Sequence, residues 1–275
     1  MNRRSRSFAP RQASWRILAL LALLFSGIAI SAPALAQFHV AQPDVVKGEA
    51  VVGDHAAAYS GPGDTEKLRQ GHEVEAIYDF TDRWELVAKG LLLEPVGEPL
   101  EAKNYQLGLH YELVQRHGEG FALAFRTLYG FSAESGVPDD LIYGPLARLV
   151  LGKDSTTINT FFISQVGPDA DRGSVALRLN WQMRHELSRS VGLGVEGYSE
   201  IKDMSHAGSF EDQLHRLGPV LYLDLRGRDA KETNYDAEAE PRQSGSIRVA
   251  TGVLFGLSEA TSDVTFKLDL SAAFY

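Results

Sequence analysis

The most regular pattern of apolar and polar positions lies in the last fourteen residues of the chain, 262–275. Every second residue from Val264 to Phe274 is apolar, and the alternate set, from Asp263 to Tyr275, carries all the charge of the stretch. A period of two over this length predicts a β-strand with one face in an apolar medium and the other in a polar medium. The rest of the chain indicates what the apolar face of this strand contacts.

The same alternation recurs through residues 48–275, in segments separated by clusters of Gly, Pro, Asp and Asn that are typical of turns. About twelve segments can be distinguished, each near the roughly 9–11 residues of a tilted membrane strand. The clearest after the last strand is 104–113. Segment 48–59 alternates poorly, and the Thr- and Phe-rich segment 156–166 has an ambiguous phase. For residues 200–217 a polar loop is favoured over one short helix.

Two architectures place such half-apolar strands differently, because a soluble β-barrel turns its apolar face inward and a membrane barrel turns it outward. The polar faces here hold Arg, Glu, Asn, Gln, Tyr and many Gly, rather than the Lys and Glu of a solvated surface. The apolar faces are nearly free of charge, which suits hydrocarbon. We therefore predict an all-β fold, an antiparallel up-and-down transmembrane β-barrel of about twelve strands. A soluble periplasmic β-protein that binds an apolar ligand is the alternative.

An even number of strands leaves both ends of the barrel chain on one side of the membrane, which is the periplasm for an exported protein. With this topology the strands bring aromatic residues to both rims, as in the aromatic belts of membrane barrels. The periplasmic rim is predicted to hold Phe80, Trp84, Phe121 and Phe274, and the opposite rim Tyr105 and Tyr129.

The first 36 residues predict a secretory signal peptide. Five arginines precede the almost wholly apolar run 17–30, which is shorter than the roughly 20 residues of a membrane-spanning helix. The small-residue pattern Ala34-Leu35-Ala36 follows it and is typical of a cleavage site. We expect removal of residues 1–36, a short periplasmic lead-in over 37–47, and the barrel over 48–275.

The charge of the chain excludes some classes of partner. Without the signal, 22 of the 27 basic residues remain against all 36 acidic ones, so the formal charge is −14. An acidic exported protein is a poor binder of nucleic acid. The absence of cysteine excludes disulfides, thiolate metal sites and a cysteine-linked lipid anchor.

Together, the cleavage pattern, the alternating segments and the Phe274-Tyr275 end resemble the outer-membrane β-barrel proteins of Gram-negative bacteria. This resemblance implies an outer-membrane location, contact with lipid and lipopolysaccharide, and recognition of the C-terminal strand by the barrel-assembly machinery. The best known form of that signal ends on Phe, whereas this chain ends on Tyr275. Residues 78–86 also resemble a hairpin of small, poorly characterised barrels that are described as transporters.

Residues on the polar faces are predicted to line a narrow lumen, because twelve strands lie between solid small barrels and open large porins. Their charges are sorted by strand, with acidic residues early in the chain and arginines later. We predict that the barrel passes or binds small polar solutes, which a transverse electric field across the lumen would orient, or that it has a structural role. The same charges are equally compatible with a paired network that fills a closed barrel. The candidate lumen residues are Glu73, Glu75, Glu85, Glu112, Arg126, Arg148, Arg178, Arg184, Arg226 and Arg248.

An enzyme is not predicted, although some membrane barrels are lipid hydrolases. His206 and Ser209 lie three residues apart in a loop, and 232–235 (ETNY) resembles a fragment of outer-membrane phospholipases. The His-x-Ser strand motif of those enzymes is missing, so a lipid hydrolase is only a minor alternative.

No cofactor or metal site is predicted either, because the histidines show no metal-ligand spacing. Asp169 and Asp171 could bind a divalent cation, but a solvated loop is favoured. One irregularity concerns the connection 228–243, which is long and acidic although the topology places it on the periplasmic side, where turns are short. Either a segment is inserted there or the strand count is wrong.

Overall fold

The structure, a computed structural model, describes residues 38–61, 68–168, 170, 173–225 and 245–274. Twelve β-strands form a closed antiparallel barrel in which each strand pairs with its neighbours in the chain and β1 pairs with β12. The strands are β1 (Ala50–Ser60), β2 (Leu68–Asp79), β3 (Trp84–Pro95), β4 (Glu101–Val114), β5 (Gly120–Ser132), β6 (Asp139–Leu151), β7 (Asp154–Val166), β8 (Val175–Glu186), β9 (Val191–Ile201), β10 (Leu214–Leu225), β11 (Ser246–Gly256) and β12 (Val264–Phe274).

The predicted fold class and strand count are therefore confirmed, including the closure of the barrel through the poorly alternating first segment. Eleven cross-strand pairs join β1 to β12, from Ala50 with Phe274 to Ser60 with Val264. Between β9 and β10 lie two short 3-10 helices, Met204–His206 and Phe210–Asp212. Among the described residues, no helix has the length and apolarity to cross a membrane.

The barrel has two rims that differ in the length of their connections. The proximal rim, where β1 begins and β12 ends, carries short turns such as 80–83 and 152–153. The distal rim, at the opposite end, carries longer ones such as 202–213. The strand count is as predicted, so Leu225 and Ser246, the two ends of the long connection, lie at the proximal rim. Residues 226–244 between them lie outside the described part.

The outer face of the wall is apolar and the inner face is largely polar, the reverse of a soluble protein. In β12, Phe266 and Leu268 point outward and are exposed, whereas Lys267 between them is buried. The same phase holds along the other strands, and the ambiguous β7 turns Thr157 and Asn159 inward. This polarity places the strands in a lipid bilayer, as the sequence predicted for an outer-membrane barrel.

Aromatic side chains are exposed at both rims in the predicted positions. Phe80, Trp84 and Phe121 are exposed at the proximal rim, where Trp84 packs against Tyr111 with ring centroids 4.5 Å apart. Tyr105 and Tyr129 are exposed toward the distal rim. Such rings suit the boundary between hydrocarbon and head groups.

A polar patch interrupts the apolar outer face at β1 and β2. Asp54 of β1 alternates with the inward His55, and the Asp54 carboxylate lies 3.0 Å from Nδ1 of His72 on β2. Next to this pair, Gln70 donates a hydrogen bond to Glu94. The outward Asp54 explains why the first segment alternates poorly.

The inverted polarity predicts how strongly the wall resists a charge. Leu268 lies near the middle of β12, so Leu268→Arg should lower the free energy of unfolding in lipid by about 2–4 kcal/mol, the cost of an arginine at the bilayer midplane. Leu257→Arg, in the exposed distal connection, should cost about 0–1 kcal/mol. Urea titration of the barrel in lipid vesicles measures both, and equal costs would contradict the placement of Leu268 in hydrocarbon.

Candidate functional site in the barrel lumen

Residues 38–47 run through the interior of the barrel in an extended conformation. Phe38, Val40, Ala41 and Val45 are all at least nine-tenths buried, although none belongs to the sheet. Their partners are inward side chains of strands on different sides of the barrel. The expectation of a periplasmic lead-in over 37–47 is thus wrong for the described residues, because the polar lumen supplies partners for the backbone of this segment. We call residues 38–47 the lumen segment.

Two asparagines hold the middle of the lumen segment by its backbone. The N–H of Ala41 donates to Oδ1 of Asn159 at 2.8 Å, and Nδ2 of Asn159 donates to the carbonyl of Ala41 at 2.9 Å. Nδ2 of Asn180 donates to the carbonyl of His39 at 3.1 Å. Asn159 and Asn180 are cross-strand neighbours on the inner face of β7 and β8. The side-chain amides thus satisfy backbone groups that no strand pairs.

The proximal part of the lumen segment is held by ionisable side chains. The N–H of Val45 donates to Glu112 at 3.2 Å, and the N–H of Val46 donates to Asp79 at 2.5 Å. Nε2 of His110 lies 3.1 Å from the carbonyl of Pro43, and because a carbonyl only accepts, Nε2 carries the proton. The other ring nitrogen is then free to accept the bond from Nε of Arg126 at 3.4 Å.

Asp44 anchors the lumen segment through charge. Its carboxylate pairs with Arg116 at 2.7 Å and with Arg148 at 3.0 Å, and all three side chains are largely buried. Removing one partner of such a buried cluster leaves a charge without compensation. Asp44 therefore holds the lumen segment by ion pairs, as Asn159 and Asn180, the asparagine clamps, hold it by hydrogen bonds.

At its other end the lumen segment packs through an aromatic cluster. The Phe38 ring meets Tyr59 and Tyr198 edge-on, with centroid distances of 5.9 and 5.0 Å. The guanidinium of Arg216 lies over the rings of Phe38 and Tyr59, 5.0 and 4.7 Å from their centroids. Because Tyr59 is near the distal end of β1, the segment extends from the distal half of the lumen to the proximal rim.

The predicted lumen residues that the structure describes all face the interior. Glu73, Glu75, Glu85, Glu112 and Arg126 are buried, and Arg148, Arg178, Arg184 and Arg248 are partly buried, while Arg226 lies outside the described residues. Their role in binding a solute stays a prediction.

These charges form pairs rather than two opposed walls. Glu85 lies 2.8 Å from Arg126, Glu200 lies 2.9 Å from Arg178, and Arg184 pairs with Glu186 at 2.7 Å. Arg248 lies 3.6 Å from Glu49. The described part of the lumen therefore matches the alternative of a paired network more closely than that of a transverse field.

Distal to the lumen segment, the interior holds two adjoining cavities of about 240 and 200 Å³. Leu91, Arg178 and Glu200 line both cavities. Asn104 and Asp140 add polar groups to the larger cavity, and Phe38 of the lumen segment lines the smaller one. A small polar solute thus has space in the distal half, and the lumen segment occupies the route beyond it.

The loop residues considered for hydrolysis are engaged in capping the two 3-10 helices. Nδ1 of His206 lies 2.9 Å from Asp203, and the hydroxyl of Ser209 donates to Asp212 at 2.7 Å. Hydrogen bonds from Ser205 and His206 lower the pKa of Asp203 to about 2, and bonds from Ser209 lower the pKa of Asp212. Neither pair joins His206 to Ser209. The fragment 232–235 and the residues Asp169 and Asp171 lie outside the described part.

Several residues of the lumen site were not predicted from sequence. Asn159, Asn180, Asp44 and the rest of the lumen segment carry no spacing that links them, since 118 residues separate Ala41 from its partner. The one available signal is that Asn159 and Asn180 sit on inward faces, where a side-chain amide needs a partner.

The two hydrogen bonds between Asn159 and the backbone of Ala41 predict that Asn159 keeps the lumen segment in place. Asn159→Ala removes two buried hydrogen bonds, which should cost about 1–3 kcal/mol. Hydrogen exchange of the amides in residues 38–45 should become roughly 5–150-fold faster. Thr160→Ala, which alters the lipid-facing neighbour on the same strand, should leave this exchange unchanged. Equal exchange in the two variants would contradict the clamp.

The barrel is similar in fold to solved outer-membrane proteins at low sequence identity. The KdgM porin is 8% identical with a TM-score of 0.48, and the match covers 82% of this chain and 98% of that one. The NanC porin is 10% identical with the same TM-score and covers 82% and 99%. Omp33 of Acinetobacter baumannii is 9% identical with a TM-score of 0.42 and covers 85% and 99%. No family model and no curated protein matches the chain.

Proposed function

We propose that this barrel binds small polar solutes in its distal cavities and passes them across the outer membrane when the lumen segment moves aside. We call the two distal cavities the vestibule. The observation that carries the proposal is that the lumen segment, held only by non-covalent bonds, occupies the lumen between the polar vestibule and the proximal rim. The segment is extended and lies outside the sheet, so its release breaks no strand pairing.

The polar groups of the vestibule favour a solute with both acceptors and charge. Arg178 offers a planar donor fork, and Asn104, Gln106 and Asp140 add donors and acceptors nearby. A cavity volume of about 240 Å³ suits a small molecule rather than a folded macromolecule. The bonded state of the loop carboxylates gives no support to a hydrolase, and the lipid-facing apolar wall does not favour a soluble binding protein.

The proposal includes partners at the membrane. Lipid contacts the outer face, lipopolysaccharide contacts the distal rim, and the barrel-assembly machinery recognises β12 with its Phe274-Tyr275 end. An orientation with the proximal rim toward the periplasm is supported by the short turns on that rim.

Loosening the lumen segment should open the passage. In planar lipid bilayers the double variant Asn159→Ala, Asn180→Ala is expected to raise the mean conductance several-fold over the unaltered barrel, because three backbone bonds of the segment are lost. Thr160→Ala serves as the matched control. A double variant that is folded, by its mobility shift on boiling, yet conducts no better than the control contradicts the proposed passage.

Charge in the vestibule should set ion selectivity. Arg178→Glu is expected to shift the reversal potential in a salt gradient toward cation preference, since it replaces a guanidinium and places three carboxylates, its own and those of Glu200 and Asp140, at the cavity. Arg189→Glu, in the exposed proximal turn, changes the net charge equally and should shift it little. The same reversal potential for both variants would exclude Arg178 from the permeation route.

A further inference from the structure

Three side chains converge where the lumen segment passes β1 and β2. They are His39 of the segment, His55 of β1 and Glu75 of β2, and one nitrogen or oxygen from each lies within 4.8 Å of the others. The β1–β2 register pairs His55 with Glu73 and Gly53 with Glu75, so His55 and Glu75 are diagonal neighbours on the inner face. The rings of His39 and His55 stack with centroids 3.9 Å apart.

The polar atoms of this cluster are buried but poorly satisfied. Within the described residues, both ring nitrogens of His55, Nδ1 of His39 and Oε2 of Glu75 are buried and take part in no hydrogen bond of good geometry. The side chains of His55 and Glu75 are each only 3% exposed. These atoms have ion-pair contacts only, with one another, with Asp269 and with Lys89. Buried polar atoms without well-formed hydrogen bonds are costly, so a ligand that accepts their lone pairs would lower that cost.

The distance between His55 and Glu75 suits a shared metal ion, and Nδ1 of His39 lies 3.9 Å from Oε2 of Glu75, close enough for a small ring movement to bring it in. Nε2 of His55 lies 3.0 Å from Oε1 of Glu75, close to the roughly 3.3 Å that separates two donors on one tetrahedral ion with bonds of about 2.1 Å. Nδ1 of His55 lies 3.4 Å from Asp269. A carboxylate behind the far nitrogen of an imidazole fixes its tautomer and directs the other nitrogen to a metal.

The charge of the network also calls for a divalent cation. Lys89 lies 2.6 Å from Glu73 and 3.5 Å from Glu75, and Lys267 lies 2.8 Å from Asp269. Lys267 also pairs with Glu196. These ion pairs join four carboxylates to two ammonium groups, which leaves a formal charge of −2. Protonating both histidines would balance it, but two positive rings stacked at 3.9 Å repel each other.

We propose that His39, His55 and Glu75 bind one Zn²⁺ ion, for which the His39 ring turns out of its stack on His55 so that both imidazole lone pairs reach the ion. Asp269 then orients His55, and a fourth position is open to water. Two imidazoles and one carboxylate are a zinc ligand set, whereas Mg²⁺ and Ca²⁺ prefer oxygen ligands. The ion joins the lumen segment to the wall, since His39 belongs to the segment and the other two ligands to the sheet. It thereby adds a metal-dependent contact to the asparagine clamps and the Asp44 ion pairs.

Calorimetry tests the site on the whole barrel purified from membranes in detergent and treated with a chelator. Titration with zinc chloride should show one equivalent bound per chain, and magnesium chloride should show no saturable binding. His39→Ala and Glu75→Gln should each weaken Zn²⁺ binding at least tenfold. His117→Ala removes an exposed histidine of the proximal rim and should leave the affinity unchanged.

The mobility shift on boiling establishes that each variant is folded. If Glu75→Gln fails to fold, His39→Ala decides, because His39 lies outside the sheet. An absence of saturable Zn²⁺ binding, or an unaltered affinity in folded His39→Ala, overturns the proposal. The measurement needs no open passage, so its result is independent of the proposed transport.

Discussion

A bilayer offers no hydrogen bonds to the backbone, and the rest of this structure depends on that constraint. Every strand must be paired on both sides, so β1 has to meet β12 and the wall has to close. Closure then creates an enclosed interior, and a chain that is buried there also needs partners for its backbone groups. The lumen segment meets the demand without joining the sheet, because Asn159, Asn180 and the ionisable residues near the proximal rim bond to its backbone. Wall and segment are two solutions to one problem.

The alternation of residues determined the wall almost completely. Lipid contact on one face and a polar lumen on the other leave a period of two in every strand, and this period predicted the strands, their facing and the aromatic rims. The period was weakest in the two strands where polar or small residues face outward or aromatic residues face inward. Asp54 and several alanines face outward in β1, and phenylalanines occupy both faces of β7, so neither segment showed its phase clearly.

The interior could not be predicted in the same way. An extended segment held by side chains repeats nothing, and its partners are scattered over the whole chain, so residues 38–47 read as a lead-in. Sorting of charge by strand was visible, but pairing depends on which strands lie within reach, as with Glu85 of β3 and Arg126 of β5. The cluster of His39, His55 and Glu75 has no sequence signal for the same reason, because only the fold brings its three members together.

The position of the lumen segment directly before β1 bears on how the barrel assembles. Ten extended residues reach about 33 Å, comparable to the roughly 30 Å of hydrocarbon. Phe38 thus lies deep in the distal half while Gly48 is bonded to Asp79 at the proximal rim. β1 and β12 are the two ends of the strand order, so the wall closes only when these two edges join. The segment is tethered to the β1 edge, so a wall that closes around it is completed and has its lumen filled in the same step.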